Sequence, residues 1–387
     1  MKHDSDLERR VATRGPAGPQ PAVRVALGGS LLMWTLSFAP TFAEERLTVA
    51  GLIDLEAWKT DAASELLSRN DGHTGLQARV RLWGAGELGS GVQAFVLGAA
   101  EGGRASTEES TSLEIEQAYL RYSFAPPARL LVEAGRIGLP IGSFPRRHLS
   151  SGNPLIGAPA GYEVNYASGL KVAGWAGPVD YTVAAIDLPI TSGADVPHPG
   201  RALRPAVALG VTPTAGVRLG AYATQGPYLN PDLGPALGVG SSWKDYGQRV
   251  AGLDAQFSRG YFVLNGEFAW SRYEVPGGAD PIRGRASYIE PVYTWSPRVF
   301  TAVRVERINE PYVEFSGTSW ESETPLLFDV EVGVGLRLAP GTLLKIAYRR
   351  ARWDVDEDLR PSFPNGHALS AQFSYAFDVN SWFRRPR

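Results

Sequence analysis

Between Phe328 and Leu338 every second residue is apolar (Phe328, Val330, Val332, Val334, Leu336, Leu338), and the residues between them are Asp329, Glu331, Gly333, Gly335 and Arg337. A β-strand points successive side chains to opposite faces, so this segment has one greasy face and one charged or bare face. The same alternation returns along nearly the whole chain after residue 45. It predicts about sixteen strands, at 46–58, 73–84, 88–100, 112–125, 128–137, 164–175, 178–187, 201–212, 215–224, 248–258, 261–273, 284–296, 298–309, 328–339, 342–353 and 366–378.

The connections between these strands alternate in length. Tight turns are expected at Pro126-Pro127, Gly177-Pro178, Pro213-Thr214, Arg259-Gly260, Ser296-Pro297 and Pro340-Gly341. Longer loops fall between the turns, at 59–72, 101–111, 138–163, 188–200, 225–247, 274–283, 310–327 and 354–365. A regular exchange of short turns and long loops is the connectivity of a transmembrane antiparallel β-barrel, with short periplasmic turns and longer external loops. An even strand count puts both ends of the barrel on the periplasmic side. The rival architecture is a soluble β-sandwich or small barrel with the apolar faces forming a dry core. Sixteen strands around a solid core are atypical, whereas barrels of that size leave an aqueous channel.

Energy fixes which face is which. In the second strand Leu76, Ala78, Val80 and Leu82 oppose Gln77, Arg79 and Arg81. An arginine on the lipid face costs about 2–4 kcal/mol at the bilayer midplane, so the arginines point inward. The same reasoning turns Asp254, Gln256, Asn265, Glu267, Arg304, Glu306, Lys345 and Arg349 inward. Trp270 and Trp295 have lipid-facing parity near strand ends, as an aromatic girdle requires; Trp58, Trp83 and Trp353 have the opposite parity.

The N-terminus reads as a targeting segment. Arg9, Arg10, Arg14 and Arg24 precede an apolar run from Val25 to Ala39, and Thr41-Phe42-Ala43 supplies small residues for cleavage near Ala43. The run is short for a membrane anchor. The long Pro- and Gly-rich stretch before it places the expected translation start downstream of Met1. The organisation expected is a signal peptide at 1–43, a barrel domain at 44–378 and a periplasmic tail at 379–387. After residue 43 there are 33 Lys and Arg against 37 Asp and Glu, so no nucleic-acid partner is expected. With no cysteine in the chain, disulfides, thiolate metal sites and cysteine nucleophiles are excluded. The localisation that follows is the bacterial outer membrane, with lipid and lipopolysaccharide as surroundings.

The Gly- and Pro-rich loop at 138–163 holds a basic centre of Arg146, Arg147 and His148. Folded into the lumen, these residues would stand at a constriction and favour anions; left outside, they would meet lipopolysaccharide phosphates or solvent. The wall facing them is expected to include Arg79, Arg81, Glu116, Arg304, Glu306, Asp329, Glu331, Arg337, Lys345 and Arg349. Other motifs are weak. Gly84-Ala85-Gly86-Glu87-Leu88-Gly89 matches a dinucleotide-binding pattern but lacks a following helix and is expected to be a periplasmic turn. Asp354, Asp356 and Asp358 have the spacing that opens a calcium loop, with Leu359 where a glycine is required. The histidines lack zinc-site spacing. No metal, cofactor or catalytic residue is assigned, and the chain is not expected to be an enzyme.

Glu116-Gln117-Ala118-Tyr119-Leu120, the run Glu133-Ala134-Gly135-Arg136-Ile137-Gly138-Leu139-Pro140-Ile141-Gly142, and His148 resemble the corresponding stretch of the phosphate-selective porin O/P superfamily. The resemblance is sharp over about residues 114–150; elsewhere it rests on strand number and signal peptide. It implies a sixteen-strand barrel, a homotrimer and an inward-folded loop, with Gly135-Arg136 at the strand end and Pro140 and Gly142 at the loop entry. Phosphate-selective members rely on clustered lysines and arginines. Here only Lys59, Lys171, Lys244 and Lys345 follow residue 43, and acids mix with bases on the inward face. The chain also departs in continuing for ten residues after Phe377, the last aromatic of its final strand. The functional expectation is passive diffusion of small hydrophilic solutes or ions, with anions such as phosphate among them. The alternatives are a plugged structural or adhesion barrel with partner-binding loops, and a barrel hydrolase.

Overall fold

The computed structural model describes residues 47–380 except 62–71, 105–109, 125–128, 140, 163–165, 188–201, 230, 279, 310–311, 316–319 and 356–364. The expected signal peptide, Asp356, Asp358, His198 and most of the C-terminal tail lie outside the described residues. The chain forms β1 (Leu47–Thr60), β2 (Gly75–Gly89), β3 (Val92–Arg104), β4 (Ser110–Ser123), β5 (Leu130–Gly138), β6 (Tyr166–Ala176), β7 (Val179–Ile186), β8 (Arg204–Thr214) and β9 (Val217–Pro227). It continues with β10 (Gly247–Arg259), β11 (Phe262–Tyr273), β12 (Ile282–Ser296), β13 (Val299–Asn309), β14 (Tyr312–Phe315), β15 (Trp320–Glu323), β16 (Leu326–Ala339), β17 (Thr342–Asp354) and β18 (Gly366–Asp378).

Sixteen of these strands close into one antiparallel barrel in chain order, while β14 and β15 form a separate hairpin within the connection from β13 to β16. Closure is made by β1 against β18, from Ala50 opposite Asp378 to Thr60 opposite Ala368. Asn380, just past β18, strengthens this seam: its side chain accepts from Val49 N at 2.9 Å and donates to Leu47 O at 2.5 Å.

One end of the barrel carries two-residue turns at Ser90-Gly91, Gly177-Pro178, Ala215-Gly216, Gly260-Tyr261, Pro297-Arg298 and Pro340-Gly341. Most of these turns place a glycine at positive φ, the geometry a right-twisted hairpin selects. Several sit one or two residues from the expected position. The largest change is at Gly84 to Gly89, which continues β2 rather than turning. Alternation is hard to read there because Gly84, Gly86 and Gly89 have no side chains to alternate.

The two faces have the assigned orientation. Large apolar residues such as Leu55, Leu82, Leu209, Leu253, Ile289, Ile346 and Leu369 are exposed, while Asp54, Asp254, Glu290, Arg304, Glu331, Lys345 and Ser370 are buried. That inverts the pattern of a water-soluble fold and suits a barrel whose outer solvent is hydrocarbon. Trp270 and Trp295 are exposed on the outer face; Trp58 and Trp353 are buried on the inner one.

The register shifts next to four of the tight turns and, away from any turn, in β4. Leu97 of β3 faces Gln117 and the next residue, Gly98, faces Ile115, so Glu116 is the extra residue of a β-bulge. Outward parity passes from Leu113 and Ile115 to Leu120 and Tyr122. The bulge aims Glu116 at the inner face. On the other edge of β4, Gly135 of β5 lies opposite Tyr119; it has φ of 134°, and a Cβ there would lie 2.3 Å from Ala118 O.

Candidate functional site

The segment 139–162 leaves β5 and packs against inward side chains of strands far from its own. Leu139 and Ile141 join Ile186, Ala206, Tyr222 and Val250 in one apolar cluster. Phe144 and Tyr162 pack with Tyr288. Ile156 joins Trp58, Ile308, Leu327 and Trp353.

Polar contacts fix the same path. Glu267 on β11 accepts from Ser143 N and Ser143 Oγ, both at 3.0 Å, and from Tyr222 OH at 3.0 Å. Gly142 permits this approach, because it has φ of 76° and a Cβ would meet Glu267 Oε1 at 2.1 Å. Arg147 donates to Glu290 Oε1 at 2.5 Å and to Tyr288 OH at 3.1 Å. Arg304, completely buried, donates to Glu290 at 2.6 Å, Glu331 at 3.2 Å, Gly157 O at 2.8 Å and Asn153 Oδ1 at 3.0 Å. Lys345 Nζ donates to Asn153 O and Leu155 O at 2.8 and 3.0 Å. Glu331 accepts from Ile156 N and Gly157 N at 3.1 Å each, and Glu306 accepts from Ala160 N at 2.7 Å. Arg349 pairs with Asp329 beside this group.

The buried carboxylates outnumber the cations in this cluster. Glu267, Glu290, Glu306, Asp329 and Glu331 face Arg147, Arg304, Lys345 and Arg349. Backbone N–H groups of the segment supply donors to Glu267, Glu306 and Glu331, while Glu306 Oε1 and Asp329 Oδ1 are buried without a hydrogen bond. Charge-assisted bonds of this kind compensate a buried carboxylate only when its oxygens are well satisfied. Arg304, Glu306, Asp329, Glu331, Lys345 and Arg349 therefore form a latch for segment 139–162, with Glu267 and Glu290 as further members. The inward parity of those two glutamates was legible, but no spacing rule links them to a segment more than a hundred residues away.

A second group lies on the other side of the inner face. Arg79 pairs with Glu101 at 2.5 Å, and Arg81 Nε with both oxygens of Glu116 at 3.0 Å. Arg121 and Lys171 both pair with Glu133, and Arg218 bridges Asp180 at 2.8 Å and Asp254 at 2.5 Å. Arg146 is half-exposed and stands 3.9 Å from Asp180. Burial and the nearby Arg218 guanidinium lower the Arg146 pKa. His148 Nδ1 donates to Pro145 O at 2.7 Å, its Nε2 lies 3.1 Å from Tyr166 OH, and Tyr166 donates to Glu116 at 3.2 Å. Burial pushes the His148 imidazole below its ordinary value.

The expected constellation thus divides. Arg146, His148, Arg79, Arg81 and Glu116 belong to the second group, Arg147 to the latch. Arg337 joins neither: it is exposed at the turn end of β16, donating to Pro297 O at 3.4 Å and stacking 4.7 Å from the Phe300 ring. No sequence pattern brings Arg121, Glu133, Lys171, Asp180 and Arg218 together, because alternating charges on five different strands carry no local motif. Among the described residues no group of His, Asp and Glu is placed to hold a metal ion.

Neither protein-family models nor curated protein sequences give a match to this chain. Solved structures do. The anion-selective porin from Comamonas acidovorans superposes with a TM-score of 0.59 at 11% identity, covering 86% of this chain and 99% of that one. Salmonella typhi OmpF, in complex with daunomycin, gives 0.56 at 11% identity, with 87% and 99% covered. OmpT, an outer membrane protein of Vibrio cholerae, gives 0.54 at 10% identity, with 86% and 97% covered. The fold is that of the outer-membrane porins.

Proposed function

We propose that this chain is a bacterial outer-membrane porin, a non-enzymatic channel for passive diffusion of small hydrophilic solutes that favours small anions, phosphate among them. One observation carries the reading. The latch side chains are almost wholly shielded, with Arg304 and Asp329 at 0% exposure, whereas Arg79 and Arg121 across the barrel keep contact with water at 27% and 33%, as does Arg146 on the segment itself at 50%. Segment 139–162 narrows the lumen from one side, and the passage runs past the inward charges of β2–β9 that it leaves in contact with water.

Along that passage most acids stand behind their cations. Glu116 and Glu133 are covered by Arg81 and by Arg121 with Lys171, so guanidinium and ammonium groups present the outer layer. A charged ring sorts ions by the sign it presents to the permeating species. Asp180 and Glu101 remain open, which gives a preference for anions rather than strict exclusion of cations. The likeness to a porin named as anion-selective supports the same direction. A homotrimer, a cleaved leader ending near Ala43 and surrounding lipopolysaccharide belong to this reading.

Single-channel recording in a planar bilayer is the test. Stable open steps with a reversal potential displaced toward the anion equilibrium are expected under a salt gradient. A barrel that inserts without stable steps is plugged and contradicts the reading.

A further inference from the structure

The outer face carries cations as well, and their arrangement differs from that of the inner ones. Arg249 on β10 lies directly opposite Arg272 on β11, and Arg272 lies directly opposite Arg283 on β12. All three have outward parity, alternating with the buried Gln248, Tyr273 and Gly284. Arg285 and Arg307, exposed on β12 and β13, extend the patch. Neighbouring strands are about 5 Å apart, so three guanidinium-bearing positions fall within about 10 Å.

Like charges directly opposite one another in a sheet are destabilising. The inner arginines Arg79, Arg81, Arg218, Arg304 and Arg349 each pair with Asp or Glu; among the described residues, none of these five outer arginines is in an ion pair. The carboxylate next in sequence, Glu274, accepts from Gly247 N at 2.9 Å instead. Among the described residues the row therefore lacks a counter-charge.

Its depth indicates where that counter-charge comes from. Arg249, Arg272 and Arg283 sit at the strand ends joined by long loops, the external end of such a barrel. Trp270, exposed on the outer face two residues before Arg272, marks the boundary of the apolar band, and Phe268, Leu253 and Ile289 lie further in. Arginine in the hydrocarbon is penalised by about 2–4 kcal/mol at the midplane but hardly at all near the interface. These residues stand at head-group level.

From this geometry we infer that Arg249, Arg272 and Arg283, flanked by Arg285 and Arg307, form a docking surface for the phosphorylated head group of lipopolysaccharide in the external leaflet. Guanidinium forks match phosphate oxygens bidentately, and three adjacent forks can share one head group while cancelling their mutual repulsion. The surface faces away from the lumen and is independent of ion selectivity.

The test uses the full barrel in neutral detergent, titrated with diphosphoryl lipid A, with dephosphorylated lipid A, and with inorganic phosphate at matched concentration, following the thermal midpoint. Diphosphoryl lipid A should raise the midpoint, with the other two nearly inert. In the variant carrying Arg249→Gln, Arg272→Gln and Arg283→Gln the apparent affinity should fall about tenfold or more, with single-channel conductance unchanged. Should that variant not fold, Arg→Lys at the same positions keeps the charge but loses the fork, and affinity should fall by a smaller factor. Equal stabilisation of the Gln or Lys variant, or equal stabilisation by dephosphorylated lipid or by inorganic phosphate, overturns the inference. A failure here leaves the conductance result untouched, so the two readings are judged separately.

Discussion

Arg304 on β13 and Arg79 on β2 are both strand arginines of inward parity, and each is paired with a glutamate. Arg304 is wholly shielded and joins β12, β16 and segment 139–162 in a single network, whereas Arg79 makes one pair and keeps a quarter of its side chain in water. The difference lies in what covers them. Segment 139–162 buries the inner face from β11 to β17 and brings its own N–H donors; β2 to β5 keep an open inner face. Identical residue types thus become structural glue on one side and solvent-facing charge on the other. A charge buried in a network is costly to leave unpaired, while a partly hydrated pair contributes little to stability and much to the local field.

The largest expected effect is on the latch side. Arg304→Met leaves Glu290 and Glu331 without their shared cation, and unfolding free energy should fall by about 3–5 kcal/mol. Thermal denaturation in detergent measures it; a loss no larger than that of a surface pair would dissolve the distinction between the two sides. Gly142→Val comes next. Its Cβ would collide with Glu267 and adopt an unfavourable φ, so a loss of about 1–3 kcal/mol is expected, with noisier open-channel current as the segment loosens.

On the open side the order of effects reverses. Arg79→Gln should change stability by about 1 kcal/mol or less, yet displace the reversal potential toward cations. A large fall in melting temperature with no change of selectivity would place Arg79 with the latch.

The smallest effect concerns His148. Its folded-state pKa is below the ordinary value of about 6.5, so as pH falls through that value the unfolded chain takes up a proton that the folded chain does not. Stability present above about pH 6.5 is therefore lost as pH drops toward the folded pKa. His148→Gln should remove that part of the acid dependence, seen as a smaller difference between melting midpoints at mildly acidic and neutral pH. An identical pH dependence in the variant would show that the imidazole is not shielded.

Strand number, face orientation and the exchange of turns and loops were legible because each strand repeats the same choice between lipid and water. Glycine-rich stretches blurred that record: Gly84 to Gly89 reads as a turn yet continues β2, and the Glu116 bulge shifts parity within one strand. The candidate site was legible as a set of charges but not as a division of labour. Arg146 and Arg147 are adjacent, with the same chemistry, and only the fold separates one half-exposed beside Asp180 from one bound to Glu290. Pairings such as Asn153 with Arg304 depend on where a long connection comes to rest, which alternation does not encode.

The central claim is that ions pass the inward charges of β2–β9 that segment 139–162 leaves in contact with water. Reversal potential under a salt gradient, for the native channel and for one carrying Arg79→Glu, Arg81→Glu and Arg146→Glu, tests it most directly. The account predicts stable open steps in both, anion preference in the native channel and a clear displacement toward cation preference in the variant. An unchanged reversal potential would contradict it.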